Sequence, residues 1–419
     1  MSYELGVKRM LLFVAILSQL LVSCYAQTTT APQGSALRTG AEELLDCKGH
    51  RWGHEDVCAY AQPVYIGRLA VVANQTSLVG NTHLVDTLLS SGAFVTKIFC
   101  PEHGFRGTAA AGAHVDNSVD AKTGLPIISL YGKNKKPTQE QLEGVDYVLF
   151  DLQDVGCRFY TYISTLHYVM EACAEAGIPL SVLDRPNPNG HYVDGPVLDT
   201  AHYRSFVGMH PVPVVYGMTI GEYALMINGE GWLAGGEQCD LTVVPMEGYK
   251  RDSVGYELPV PPSPNLRNAH AIALYPSLCL FEGTNVSVGR GTDSPFEIIG
   301  IPSKYSTWWC SNTNFTLAGN QIAGAFYFAP QGGEQHFGID LSRIDVPARF
   351  DLSYLMVMYS LAKKDCFFLK SNFFEKLAGN GDLRRQIEHG MSETEIRATW
   401  QPALDQFKEI RKKYLIYED

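Results

Sequence analysis

No stretch of this 419-residue chain is apolar for long enough to cross a bilayer, since the longest such run, Met10 to Val22, stops at 13 residues. Positive charge is also in short supply. Thirty-three Lys and Arg stand against 44 Asp and Glu, a formal net charge of −11, which argues against nucleic acid or an anionic membrane surface as the main partner. The ten cysteines include no CxxC pair, so the chain resembles neither a zinc ribbon nor a disulfide framework. Gly229-Glu230-Gly231 lacks the GxGxxG spacing of a dinucleotide site, Gly289-Arg290-Gly291-Thr292 lacks the lysine of a P-loop, and His103 has no HExxH partner. No cofactor and no metal are expected. Internal repeats and low-complexity blocks are missing as well.

The short apolar run has a different use. Lys8 and Arg9 precede it, which makes residues 1–23 a secretory signal and the mature protein an exported one. Leu21-Val22-Ser23-Cys24 resembles a lipobox, whose cysteine is lipidated; a cut after Ala26 is the alternative. The expectation is a periplasmic protein tied to the membrane only through a lipid at Cys24. Residues 24–40 are small and polar without apolar periodicity and read as a tether. Of the nine remaining cysteines, Cys47 and Cys58 flank a polar loop and are the one pair nominated as a disulfide. Without the signal the chain carries 31 basic and 43 acidic residues, so an anionic small substrate needs local arginines.

With 46% apolar residues the body folds, and its length exceeds what one core normally organises. Apolar runs at Leu69–Ala73, Phe94–Phe99, Ile127–Tyr131, Tyr147–Phe150, Leu180–Leu183 and Leu241–Val244 alternate with helical patterns. That rhythm predicts an α/β, doubly wound, mostly parallel sheet. Thr138 with Gln141 and Thr219 with Glu222 have capping-box spacing, and Tyr162–Ala176 predicts a helix ended by Gly177. After Leu258 the rhythm breaks into the proline-rich Pro259–Asn265, and no helix is expected from there to Pro295. The expected division is a large domain over 41–293 and a smaller α+β domain over 294–419, with strands near Phe296–Ile301, Gly324–Phe328 and Phe337–Leu341 and helices at Leu352–Ala362 and Thr394–Lys412.

The chemistry gathers at strand ends. Phe94–Gly107 runs a buried strand into Pro101, and Glu102, His103 and Arg106 follow. Asn74 and Gln75, Asp151 and Asp154, and Asp184 with Arg185 occupy the same place after other strands, so all should converge on one crevice beyond the carboxyl edge. Carboxylates with neighbouring arginines suit hydrolysis of a glycosidic bond. Arg106, Arg158 and Arg185 have the fork to hold a substrate carboxylate, or to pair with these same acids. Trp308, Trp309 and Tyr305 are candidates to stack on a sugar or to pack in a core.

Many ordered motifs in the chain resemble one family, the exo-β-N-acetylmuramidases of glycoside hydrolase family 171, earlier catalogued as domain of unknown function 1343. They are Asn74-Gln75-Thr76, Pro101-Glu102-His103-Gly104 with Arg106-Gly107, Ser129-Leu130-Tyr131-Gly132, Phe150-Asp151-Leu152-Gln153-Asp154-Val155-Gly156 with Arg158-Phe159-Tyr160-Thr161-Tyr162, and Leu183-Asp184-Arg185-Pro186-Asn187-Pro188. Tyr216-Gly217-Met218-Thr219, Pro262-Ser263-Pro264-Asn265, Phe281-Glu282-Gly283-Thr284-Asn285 and Gly289-Arg290-Gly291-Thr292 follow. The resemblance implies a Rossmann-like domain with a smaller C-terminal one, and release of N-acetylmuramic acid from non-reducing ends of peptidoglycan fragments, with muramyl saccharides as partners.

It places catalysis on Glu102, with Asp151 or Asp154 either attacking carbon or orienting the sugar's acetamide. Asn74, Gln75, His103, Arg106, Arg158, Tyr160, Asp184, Arg185, Asn265, Glu282 and Arg290 are the matching substrate-binding candidates. An acid in the Glu102 role keeps its proton when apolar surface surrounds it, so Phe99, Pro101 and Phe105 are the expected wall, with His103 and Arg106 turned elsewhere. A non-catalytic glycan-binding lipoprotein, or an esterase or amidase, can use the same crevice.

Overall fold

Leu69, Val71 and Ala73 face one side of a central sheet, Ala70 and Val72 the other, and all five are closed to solvent. A strand covered on both faces belongs inside a parallel sheet, which is why this run is uniformly apolar. The computed structural model describes residues 37–46, 63–106, 117–253, 255–307, 314–317, 320–323, 326–330 and 333–418. The expected signal, Cys24 with most of the expected tether, Cys47 and Cys58, Gly107 and the Trp308-Trp309 pair lie outside them.

The sheet has seven strands: β1 Arg68–Ala73, β2 Phe94–Cys100, β3 Ser118–Val119, β4 Pro126–Ser129, β5 Tyr147–Asp151, β6 Leu180–Leu183 and β7 Leu241–Val244. They lie in the order β3-β4-β2-β1-β5-β6-β7, all parallel except the edge strand β3. The order reverses at β1. The chain winds one way through β2 and β4 and the other through β5 to β7, and beyond that reversal a crevice opens at the carboxyl ends.

Local rules place the helices. Helix α1, Tyr162–Ala176, buries Ile163, Leu166, Met170 and Cys173 and stops at Gly177, whose φ of 64° is the left-handed cap. Helix α2, Ile220–Gly229, begins at the Thr219/Glu222 capping box, and Thr138/Gln141 opens the short helix Gln139–Leu142 in the same way. Helix α3, Ala269–Leu278, corrects the expectation of no helix before Pro295. Burial on several sides erased its amphipathic period, and Pro276 in its last turn read as a breaker. The carbonyl that Pro276 leaves without its usual N–H, that of Ile272, instead accepts the Asn189 amide at 3.2 Å.

Ile298–Pro302, His336–Asp340 and Phe326–Phe328 make an antiparallel sheet, followed by Ser353–Leu361 and helix α4, Glu393–Arg411. The strand expected from Phe296 starts two residues later because Phe296 has a φ of 61°, outside the extended region. One apolar cluster runs from Ala70, Val72 and Phe150 to Phe296, Ile299, Leu404 and Phe407, so the C-terminal elements share the core of the sheet. Arg38–Asp419 pack as one unit. Arg38 exchanges backbone hydrogen bonds with Glu247 at 2.9 and 3.0 Å, which brings residues 38–40 from the expected tether into the folded body.

Candidate active site

Past β2 the chain turns at Pro101, with Gly104 N–H donating to the Pro101 carbonyl at 3.1 Å. His103 takes a φ of 73° while buried, a conformation a non-glycine residue holds only when its surroundings impose it. This turn delivers Glu102 to the wall of a crevice of about 550 Å³. Two hydroxyls meet its carboxylate. Tyr131, just past β4, hydrogen-bonds to Glu102, and burial together with that negative charge pushes the phenol up to about 12. Thr161 stands at the N-terminus of α1, but its side chain does not cap the helix; it donates to Glu102 Oε2 at 3.4 Å.

The rest of the crevice is mainly aromatic: Phe159, Tyr160, Tyr162, Phe206, Tyr275, Phe296 and Phe373 line it with His103, Ser263 and Asn265. Tyr305, a sequence candidate for sugar stacking, packs against the core instead. One wall is the proline-rich loop. The hydroxyls of Tyr160 and Tyr162 donate to the Pro262 carbonyl at 2.8 and 3.3 Å, and the Gln75 amide reaches the carbonyls of Pro261 and Pro262 at 3.2 Å each. Asn74 supports this from beneath by donating to the Tyr162 hydroxyl at 2.8 Å. Opposite, Glu282 Oε1 accepts Nε and Nη2 of Arg290 at 2.6 and 2.5 Å.

Glu102, Asp151 and Asp184 stand at or just past the carboxyl ends of parallel strands of one sheet, but β1 separates the strand of Glu102 from that of Asp151, and of the three only Glu102 opens into the crevice. Asp151 is fully buried and gripped by Arg185, and Arg185 also reaches the Leu78 carbonyl at 3.1 Å. Asp184 accepts from Thr219 at 2.7 Å, Tyr417 at 2.6 Å and the Gly221 N–H at 2.8 Å. Asp154 accepts from the Tyr216 hydroxyl and the Gly156 N–H, while its Oδ1 is buried without a partner. Burial pushes Asp154 and Asp184 each up to about 6, against the pull of those donors.

The arginines expected to take a substrate carboxylate are occupied elsewhere. Arg158 is completely buried and donates to the carbonyls of Pro196, Val212, Leu377 and Ala378 at 2.7 to 2.9 Å. Burial lowers it to about 10. Arg106 pairs with Asp120 at 2.9 Å and lies over the Phe105 ring. Although burial opposes it, donors from Thr123 and the Arg106 charge hold Asp120 below the usual carboxylate range. Arg106 thus faces another acid, as expected, but the anticipated wall does not form. Phe99 packs in the core and Phe105 on the other face of the sheet against His83.

Sequence reasoning passed over Tyr131 and Thr161 as site residues although both lie in quoted motifs; Tyr131 follows a strand end, the same signal that marked Glu102. Phe206 and Phe373 carried no local signal. Among the described residues no group of three or more His, Cys, Asp or Glu is arranged to hold a metal ion.

Residues 69–270 match the family model described as exo-beta-N-acetylmuramidase NamZ, N-terminal, and residues 273–417 match its C-terminal counterpart. The peptidoglycan beta-N-acetylmuramidase NamZ of Bacillus subtilis (strain 168) is 44% identical over 366 residues, 84% of this chain and 87% of that protein. A crystal structure of a DUF1343 family protein from Bacteroides fragilis NCTC 9343 superposes with a TM-score of 0.75 at 42% identity, covering 92% of this chain and all of that one. A second DUF1343 structure from the same organism gives 0.75 at 29% identity, covering 91% and 99%.

Proposed function

We propose that this chain, which belongs to the exo-β-N-acetylmuramidase NamZ family, frees N-acetylmuramic acid from the non-reducing ends of peptidoglycan fragments with Glu102 as the proton donor. One observation supports the assignment above the others: of the acids at the carboxyl edge, Glu102 alone lines the crevice, while Asp151, Asp154 and Asp184 are withdrawn beneath it.

Glu102 gives its proton to the glycosidic oxygen as the bond to the anomeric carbon breaks. The remaining crevice carboxylate among the described residues, Glu282, is tied to Arg290, so the nucleophile is taken to be the carbonyl oxygen of the sugar's own 2-acetamido group. That oxygen bonds to the anomeric carbon and gives a cyclic oxazolinium ion. Water then adds at the same carbon, its proton passes to the Glu102 carboxylate, and the acetamide is restored. The product keeps the β configuration.

The Pro259–Asn265 loop, clamped by Tyr160, Tyr162 and Gln75, supports action on a chain end, because it walls one side of the crevice. A defined glycan ending in N-acetylmuramic acid should release monosaccharide from the first minutes. Early accumulation of internal oligosaccharides sinks the exo reading, and release of an acyl group in place of the sugar points to the esterase or amidase class. Export and a lipid at Cys24 complete the proposal. They rest on the Lys8-Arg9 flank, the apolar run and the lipobox-like Leu21–Cys24. Mass spectrometry of the mature N-terminus decides between a lipidated Cys24 and an unmodified Gln27.

A further inference from the structure

N-acetylmuramic acid differs from N-acetylglucosamine by a lactyl ether that ends in a carboxylate. Among the described residues lining the crevice there is one guanidinium, that of Arg290, and no lysine. Three features fix where it points. Glu282 Oε1 holds Nε and Nη2 along one edge of the fork, at 2.6 and 2.5 Å. The guanidinium carbon lies 5.1 Å from the centre of the Phe296 ring, and Phe296 is itself buried in the left-handed region. The backbone at Arg290 runs between Gly289 and Gly291, both left-handed at φ 75° and 78°. A side chain added at Gly289 would meet Ile298 at 2.6 Å, so the turn is closed to other residues.

Nη1 has no hydrogen-bond partner, and although that atom is covered, the side chain as a whole is 37% exposed and lines the crevice. A guanidinium immobilised on one edge and unmet on the other is a receptor half, and it lacks an acceptor of matching charge. We infer that the guanidinium of Arg290, oriented by Glu282 and Phe296, receives the lactyl carboxylate and so makes this crevice select muramyl over glucosaminyl residues. The inference rests on the hydrolytic reading above and adds to it the group by which the substrate is told apart. Glu282 is a positioning residue: it neutralises part of the charge of Arg290, so the subsite grips an anion by geometry more than by net field.

The test compares three 4-nitrophenyl β-glycosides: N-acetylmuramic acid, its lactyl methyl ester, and N-acetylglucosamine. With the wild-type protein the ester should lose about 10- to 150-fold in kcat/KM relative to the free acid, mostly through KM. Arg290→Gln should impose a similar loss on the acid and add much less on the ester, so that the preference for acid over ester disappears. If Arg290→Gln keeps the wild-type preference for acid over ester, or if the wild type turns over acid and ester equally well, Arg290 does not read the carboxylate. The wild-type comparison needs no mutant to fold. Should the wild type hydrolyse none of the three, the hydrolytic reading falls; calorimetry with free N-acetylmuramic acid and its methyl ester then judges Arg290 by the same ratio.

Discussion

Arg185 holds Asp151 in two parallel hydrogen bonds, Nε to Oδ1 at 2.5 Å and Nη2 to Oδ2 at 2.9 Å, with both side chains shut away from solvent. A carboxylate fixed in this way has both oxygens spent, and pulling it free would strand a buried guanidinium. Asp151 is therefore part of the floor. The proposed mechanism takes its nucleophile from the substrate's own acetamido group.

A thiazoline analogue of N-acetylmuramic acid copies the cyclic intermediate and should inhibit competitively, well below the substrate's KM. Proton NMR of the first-formed product should show the β anomer. An α product, or no inhibition by the thiazoline, rules out attack by the acetamide.

Glu102→Gln keeps the shape of the side chain and its hydrogen bonds but cannot deliver a proton. Turnover of a natural disaccharide should fall by about 10²- to 10⁴-fold with the melting temperature unchanged. An aryl glycoside with a good leaving group should suffer less. Wild-type turnover by this variant would move the proton donor elsewhere.

Removing the Tyr131 hydroxyl separates support from chemistry. Tyr131→Phe takes away one donor to Glu102 and should lower kcat by about 10-fold, with KM nearly constant. A large rise in KM with kcat unchanged would make Tyr131 a substrate contact instead.

Asp154 offers a test with a defined sign. Burial lifts it to about 6, above the value of about 3.9 for an unfolded chain. Between those values the native state holds a proton at Asp154 that the unfolded state has lost, so the contribution of Asp154 to stability declines as pH rises from about 4 to about 6 and is level above that. Asp154→Asn removes the decline. Its stability relative to wild type, measured by urea denaturation, should improve by up to roughly 3 kcal/mol between pH 4 and pH 7. Turnover should stay within a few-fold; a 100-fold loss would return Asp154 to the catalytic set.

Arg158→Met should cost at least about 3 kcal/mol, because four buried carbonyls lose their donors together. The KM of whatever remains folded should match wild type. A selective rise in KM at unchanged stability would reinstate Arg158 as a substrate ligand.

The sheet was legible because its signals are local. Each of the six long strands is an apolar run, and the caps at Thr138, Thr219 and Gly177 depend on residues within four positions. Residues at strand ends pointed to the right edge of the sheet. What sequence could not tell was which of them face outward, since that depends on partners far along the chain: Arg185 for Asp151, Tyr216 for Asp154, Leu377 and Ala378 for Arg158. Helix α3 was missed because an apolar helix with proline in its last turn has no period to read. The edge strand Ser118–Val119 is two residues long, too short for any pattern.

The hydroxyl of Tyr417 reaches Asp184 across 233 positions of sequence, and the carbonyls of Leu377 and Ala378 reach Arg158 across 219 and 220. On a ribosome adding about 5 to 20 residues per second, those partners arrive roughly ten seconds to under a minute after the acid and the guanidinium they complete. During that interval Asp184 has Thr219 and the Gly221 N–H but not Tyr417, and Arg158 has the carbonyls of Pro196 and Val212 but not those of Leu377 and Ala378. The interior of the first half is completed only when the second half has been made.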